Sequence, residues 1–212
     1  MKLFDTLLRN FVRLGFLGLL LYELLAWAGI IDSDLDFTWR GLVVTLLAVW
    51  AFMEATSWWL NKKRGGPIHA IVFLLPFLSI FVDALGDIHH WYVTYSWYDQ
   101  VAHFTGGGST VVLFWNIMLR LVREDARERQ PWIVYQLALG YAVAVGMLYE
   151  FEEYTEDVIF KSNRLGDGPD TVNDLLLNFL GAIVYLTLVA LIRRCIHKKE
   201  HVSQTFPQKT GS

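Results

Sequence analysis

A single cysteine, Cys195, excludes an intrachain disulfide and any zinc site built from several cysteines. It stands at the end of the last apolar run, where a thiol at the membrane edge is the ordinary expectation. Polar stretches are short as well. Once the apolar runs are set aside, no segment is left over for a soluble domain, so helices and their connections must carry the function. Internal repeats, low-complexity tracts, nucleotide motifs and haem motifs are missing, and nothing points to nucleic acid. No nucleophilic Ser or Cys is placed beside His103. Gly106-Gly107-Gly108 lacks the Lys-Ser/Thr and the strand that a phosphate loop needs; such a run of small residues instead lets a neighbouring helix come close.

What the chain has in quantity is apolar surface. Its residues are 54% hydrophobic, nine are Trp, and the mean hydropathy is positive, which marks an integral membrane protein. Six stretches reach the ~20 residues that a helix needs to cross a hydrocarbon core: Phe11 to Ile31, Gly41 to Leu60, Pro67 to Gly86, Tyr98 to Val122, Trp132 to Tyr149 and Thr171 to Ile192. The expected fold is an all-α bundle of six transmembrane helices over residues 1–199. In it, 11–31 and 41–60 flank the site, and 67–86, 98–122, 132–157 and 170–192 bear it. Residues 200–212 have the composition of a disordered cytoplasmic tail. Ala26-Trp27-Ala28 faintly resembles a signal-peptidase site, but the run before it is long and carries Glu23, so the first helix is expected to be retained.

Charge sets the orientation. Of the 18 Lys and Arg residues, 15 fall on one side of these spans, and only Arg40, Lys161 and Arg164 fall on the other. Under the positive-inside rule both termini are cytoplasmic. The outer side instead gathers 14 of the 21 acids, so the outer mouth is strongly acidic.

Those acids form ladders at helix ends. Asp83, Asp87 and His90 share one face where the third helix leaves the membrane. Asp99 and His103 share a face of the fourth, Glu150, Glu153 and Asp157 a face of the fifth, and Asp170, Asp174 and Asn178 a face of the sixth. Glu152 and Glu156 point elsewhere, and Glu156 is expected to be solvated. Each ladder also has an ordinary explanation, since Ser96-x-x-Asp99 and Thr171-x-x-Asp174 fit capping boxes. The deeper groups resist it. Asp83, His103, Glu150 and Asn178 lie among apolar residues, where an unpaired polar group costs several kcal/mol, so they are expected to face inward and meet. Glu23, near mid-membrane, is expected on the inner wall of the site, and Glu54 outside it, within reach of Lys62 or Lys63.

Clustered carboxylates need protons, a basic side chain or a bound cation. Oxygen-rich ligation with one or two imidazoles suits a divalent ion such as Zn, Mn, Fe or Mg. The expected metal ligands are Asp83, Asp87, His90, Glu150, Glu153, Asp157 and Asp174. His103, oriented by Asp99, is the expected general acid or base. Arg164, Tyr98 and Asn178 are the expected substrate contacts, with the Arg164 fork suited to an anionic head group. The aromatic residues from Trp91 to Tyr98 read first as an interfacial belt. Two functions stay open: a metal-dependent hydrolase or transferase on a lipid-linked or amphiphilic substrate, and a protein that binds or passes a cation or lipid without chemistry.

With its Asp/His helix, its Glu-rich helix end and its late Asp/Asn helix, the chain resembles the YjdF-like family of uncharacterised bacterial inner-membrane proteins over most of its length. More distantly, Tyr98 to Gly107, Leu148-Tyr149-Glu150, and Arg164 followed by Asp174 to Ala182 resemble the VanZ-like family over the last three helices. Glu153 stands where VanZ-like proteins often have glutamine, which makes this site more acidic. The resemblance implies a multi-pass protein of the bacterial cytoplasmic membrane, and supports the architecture and the residue set without implying a reaction.

Overall fold

The computed structural model describes residues 2–64, 66–162 and 164–205. They form helices α1 (Lys2–Trp27), α2 (Trp39–Arg64), α3 (Ala70–Ile88), α4 (Trp91–Thr94), α5 (Tyr98–Leu121), α6 (Glu124–Arg129), α7 (Ile133–Phe160) and α8 (Gly168–Thr205), with no strand among the described residues. Five of them, α1, α2, α3, α7 and α8, are long and apolar enough to cross a membrane. Large apolar side chains such as Phe4, Leu14, Leu21, Trp58, Ile71 and Leu148 point outward from these helices. In water that surface would aggregate; against lipid tails it costs nothing.

The remaining expected span is α5, whose 24 residues are long enough but which carries Asp99, His103, Asn116 and Arg120. Its position explains how it tolerates them. α5 sits at the centre of the bundle, packed against α3, α7 and α8, so its polar groups meet protein and not lipid. α2 stands on the other side, joined mainly to α1 and α3. Pro76 lies inside α3 and removes one backbone donor from the helix ladder.

Several boundaries differ from the hydrophobic pattern. α1 starts at Lys2 and not Phe11, because Arg9 is buried by donating to Ser57 Oγ and the Ile68 carbonyl, while Asp5 accepts from the Ala70 amide. Tertiary contacts thus hold a polar first turn that hydropathy leaves out. α7 continues to Phe160 and ends on Lys161 at φ 61°. α8 runs on to Thr205, so the expected tail is helical from 200 to 205; its last residues, 206–212, lie outside those described. Glu54 is paired with Arg13, at 2.6 and 2.7 Å through two guanidinium nitrogens, and not with Lys62 or Lys63.

The glycine run decides how the site is assembled. α5 and α8 run in the same direction and touch backbone to backbone. A Cβ on Gly107 would meet the backbone of Asn178, and one on Gly181 the backbone of Phe104. With nothing larger than hydrogen at those positions, Asp99 comes beside Asp174 and His103 beside Asn178.

Candidate functional site

His103 is the hub. Its ring is buried, 7% exposed, and both of its nitrogens meet polar groups. Nε2 lies 3.3 Å from Asp99 Oδ1 and 3.7 Å from Asp174 Oδ1. Nδ1 lies 3.1 Å from Asn178 Nδ2 and 3.9 Å from Glu150 Oε1. Asp99 and Asp174 also face each other closely enough to share a hydrogen. Both Glu150 oxygens and Asp174 Oδ1 are buried without a hydrogen-bond partner, which in a protein interior calls for a proton or a cation.

Neither acid on this ring is a helix cap. α5 opens on Trp97 without a side-chain cap bond, and α8 begins at Gly168, so Asp174 stands in its second turn. The cap there comes from Asp167, whose carboxylate accepts from the Asp170 amide at 3.0 Å.

Asp99, His103 and Asp174 each offer a donor atom within 4.8 Å of the other two. Donors about 2.1 Å from one ion lie at most about 4.2 Å apart, and the two separations from Nε2, 3.3 and 3.7 Å, fall inside that limit. The other ring nitrogen faces an amide and a carboxylate, the arrangement that fixes the tautomer of a metal-bound imidazole. In that state Nδ1–H donates, and the Asn178 amide turns its oxygen towards it. Glu150, 3.9 Å from Nδ1, would then help to orient the ring.

The other expected ligands stand outside this cluster and have partners of their own. Asp87 is buried and accepts from the Phe37 amide at 2.9 Å, tying the 32–38 connection to α3. His90 is not on the site face at all, because α3 stops at Ile88. Its ring is half-exposed and sits 2.6 Å from Asp36, which raises its pKa above the ordinary histidine value. Asp157 accepts from Ser162 Oγ and from the Arg164 and Leu165 amides, closing the turn after α7. Asp83 accepts from the Tyr92 hydroxyl at 2.5 Å. Burial first, and then Asp83, keep that phenol protonated by raising its pKa well above normal. Glu23 is enclosed on α1 with both oxygens unpartnered; Asp83 is within its electrostatic reach, but Glu23 does not line the cavity described below.

Arg164 is the second hub. Buried under the C-terminal end of α7, it reaches Glu153 at 3.1 Å, Glu156 at 3.5 Å and the Tyr149 hydroxyl at 2.5 Å. Burial alone would depress its pKa, yet Tyr149, Asp83, Glu153 and Glu152 around it hold it above the usual arginine value. Glu153 therefore neutralises Arg164 and is not free to bind a metal, and Arg164 is committed to carboxylates before any anionic substrate arrives. Glu156, expected in solvent, is buried, because Arg164 folds back over the helix and Thr38 donates to it. Tyr98 is turned away as well, donating its hydroxyl to the Val82 carbonyl at 2.6 Å. Sequence reading also missed Tyr149, Tyr92 and Thr38, whose only signal was that each adjoins a charged ladder or a loop that closes on one.

A cavity of about 320 Å³ joins the two hubs to the bundle interior. Asp83, Asp99, His103, Glu153, Arg164 and Asn178 line its end nearest the start of α5 and α8. Its deeper part is walled by apolar and small residues: Ala48, Val49 and Phe52 from α2, Pro76 and Ile80 from α3, Leu113 and Phe114 from α5, and Ala142, Val145 and Gly146 from α7. Asp83, His103 and Asn178 thus share one cavity as expected, while Glu150 stands behind the imidazole.

No curated protein and no solved structure matches the chain. A family model described as a predicted membrane protein, DUF2238, matches residues 13–195, with which the YjdF-like resemblance is compatible. Since that match covers all of the helices that build the two hubs and the cavity, the chain belongs to the DUF2238 family of predicted membrane proteins.

Proposed function

We propose that this protein is a multi-pass membrane enzyme that holds a divalent ion at Asp99, His103 and Asp174 and acts on an amphiphilic substrate at the outer face of the membrane. The observation that carries this reading is the joining of an acidic, imidazole-containing donor set to an apolar slot in one cavity. Such a cavity takes a polar head at one end and a hydrocarbon tail at the other. A divalent ion there would supply Lewis acidity towards a phosphoryl or ester oxygen and a more acidic water, so hydrolysis or transfer needs no side-chain nucleophile. Asn178 and Glu150 position the imidazole, and Arg164 holds Glu153 and Glu156 in place at the cavity mouth. The charge asymmetry of the chain puts this mouth on the non-cytoplasmic side of six spans, with both termini inside.

A second reading has its own support. Among the described residues His103 is paired with no hydroxyl or thiol, and Arg164 is already engaged, which suits a protein that binds or passes a cation or lipid without reaction. Elemental analysis of protein purified in mild detergent, followed by assay against membrane lipid extracts, separates the two. The enzyme reading expects one divalent ion per chain, lost in His103→Ala and Asp174→Asn, and release of phosphate or fatty acid by wild type but not by Asp174→Asn. A bound ion without any turnover favours the binding protein. A metal-free wild type overturns the metal assignment.

A further inference from the structure

The helix packing bears on how a substrate reaches the cavity, and with what kind of tail. α2 and α7 each contribute a wall, yet they make little direct contact with each other, and α2 leans on α1 and α3 instead. The seam between them is tied only at its ends. At the outer end Thr38 donates to Glu156, and the Arg40 guanidinium lies 3.7 Å over the Phe160 ring. Towards the inner end the Phe52, Phe114 and Tyr141 rings close it, with centroids 5.7 and 5.2 Å apart in succession. Between the ties a second depression opens on the lipid side of the same seam, with Gly41, Val44, Leu148 and Phe151 in its wall and Arg40, Glu152 and Glu156 as its charged groups. The seam is therefore hollow from both faces. Small and mobile aliphatic side chains, Val44 and Ala48 on one side and Val145 and Leu148 on the other, are what stand between bilayer and cavity.

The dimensions limit the tail. The cavity lining follows α5 from Asp99 to Phe114, which at 1.5 Å per residue is roughly 20 Å. A volume of about 320 Å³ drawn out over that length is a slot one alkyl chain wide.

From the seam and the slot we infer that the substrate is a single-chain amphiphile, and that it enters sideways from the bilayer between α2 and α7. This rests on the amphiphile reading above and deepens it. The head comes to rest at the hub of Asp99, His103 and Asp174, and the chain follows through the seam into the slot.

Photo-crosslinking of the full chain in phosphatidylcholine vesicles tests this with three probes carrying a diazirine in the tail: an alkyl phosphate, a monoacylglycerol and a two-chain phosphatidic acid. The alkyl phosphate is expected to label Ala48, Val49, Phe52 or Val145, and to be competed by unlabelled alkyl phosphate. The two-chain probe is expected to label only lipid-facing positions such as Leu47 and Leu148. The monoacylglycerol, which has the same single tail, is expected to label the same positions. In a Val44→Cys/Leu148→Cys/Cys195→Ala chain, a cleavable bis-maleimide across the seam should suppress cavity labelling until it is cut, with metal content and thermal stability unaltered. Cavity labelling that survives the bridge, or equal cavity labelling by the two-chain probe, overturns the inference. Metal-loaded protein whose cavity is never labelled also overturns it while leaving the metal site standing; labelled protein without metal does the reverse.

Discussion

A methyl group placed at Gly107 should push α8 away from α5 and take the site apart with it. A Cβ added at Gly107 would lie 2.7 Å from both the carbonyl carbon and the Cα of Asn178. An ordinary carbon–carbon contact is about 3.5–4.0 Å, so the two backbones must separate by roughly 1 Å. Backbone has no rotamer with which to yield, and overpacking of this kind costs about 1–3 kcal/mol. The same displacement acts on the chemistry. It carries Asn178 Nδ2, now 3.1 Å from His103 Nδ1, out of hydrogen-bond range, and moves Asp174, 3.7 Å from Nε2, beyond the reach of a shared ion. Gly140→Ala is the control, because a Cβ on Gly140 meets nothing within 4 Å. Thermal unfolding in mild detergent, followed by tryptophan fluorescence, and metal content by elemental analysis are measured on both variants. Gly107→Ala should melt clearly below wild type and hold less metal, whereas Gly140→Ala should match wild type in both. Gly181→Ala should follow Gly107→Ala. If Gly107→Ala is as stable and as metal-loaded as Gly140→Ala, close packing of α5 on α8 does not assemble the site.

Removing the Arg164 guanidinium as Arg164→Gln leaves Glu153 and Glu156 buried without their cation, and should cost about 3–5 kcal/mol; loss of folded protein in the membrane is the readout, and Glu153→Gln in the same chain should restore part of it. The His90–Asp36 pair predicts a pH effect at the outer surface. Because the folded pKa of His90 is raised, the pair contributes fully below the ordinary histidine value of about 6.5 and is lost as pH rises through the folded value. Amide exchange in the 32–38 connection should therefore speed up across that window in wild type and not in His90→Gln; a flat wild-type profile argues against the pair. For orientation, single cysteines replacing Asp34 or Asp167 in a Cys195→Ala background should react with an impermeant thiol reagent added outside intact cells, and one replacing Lys63 should not. The opposite pattern would place the acidic mouth in the cytoplasm.

The class of the protein, the positions of its long helices and the membership of the polar cluster were legible in the sequence, because each follows from a local property. Apolar runs give spans, helical spacing gives faces, and depth in an apolar run makes Asp83, His103, Glu150 and Asn178 seek partners. Even a close helix approach was visible in Gly106-Gly107-Gly108, though not that α8 is the helix that makes it. Which acid serves which partner was not, since that depends on connections that return across long stretches of chain. The 32–38 segment comes back to take Asp87 through the Phe37 amide, 50 residues away in sequence, and His90 through Asp36. The turn after α7 consumes Asp157 and swings Arg164 onto Glu153 and Glu156, so an acid assigned to solvent by its helical phase ends up buried. Of the seven residues expected as ligands, only Asp174 stands in the cluster close enough to share an ion, beside the two residues first read as catalytic, Asp99 and His103. Helical periodicity fixes the direction in which a side chain leaves its own helix; what it meets there is decided only when the loops close and the helices pack.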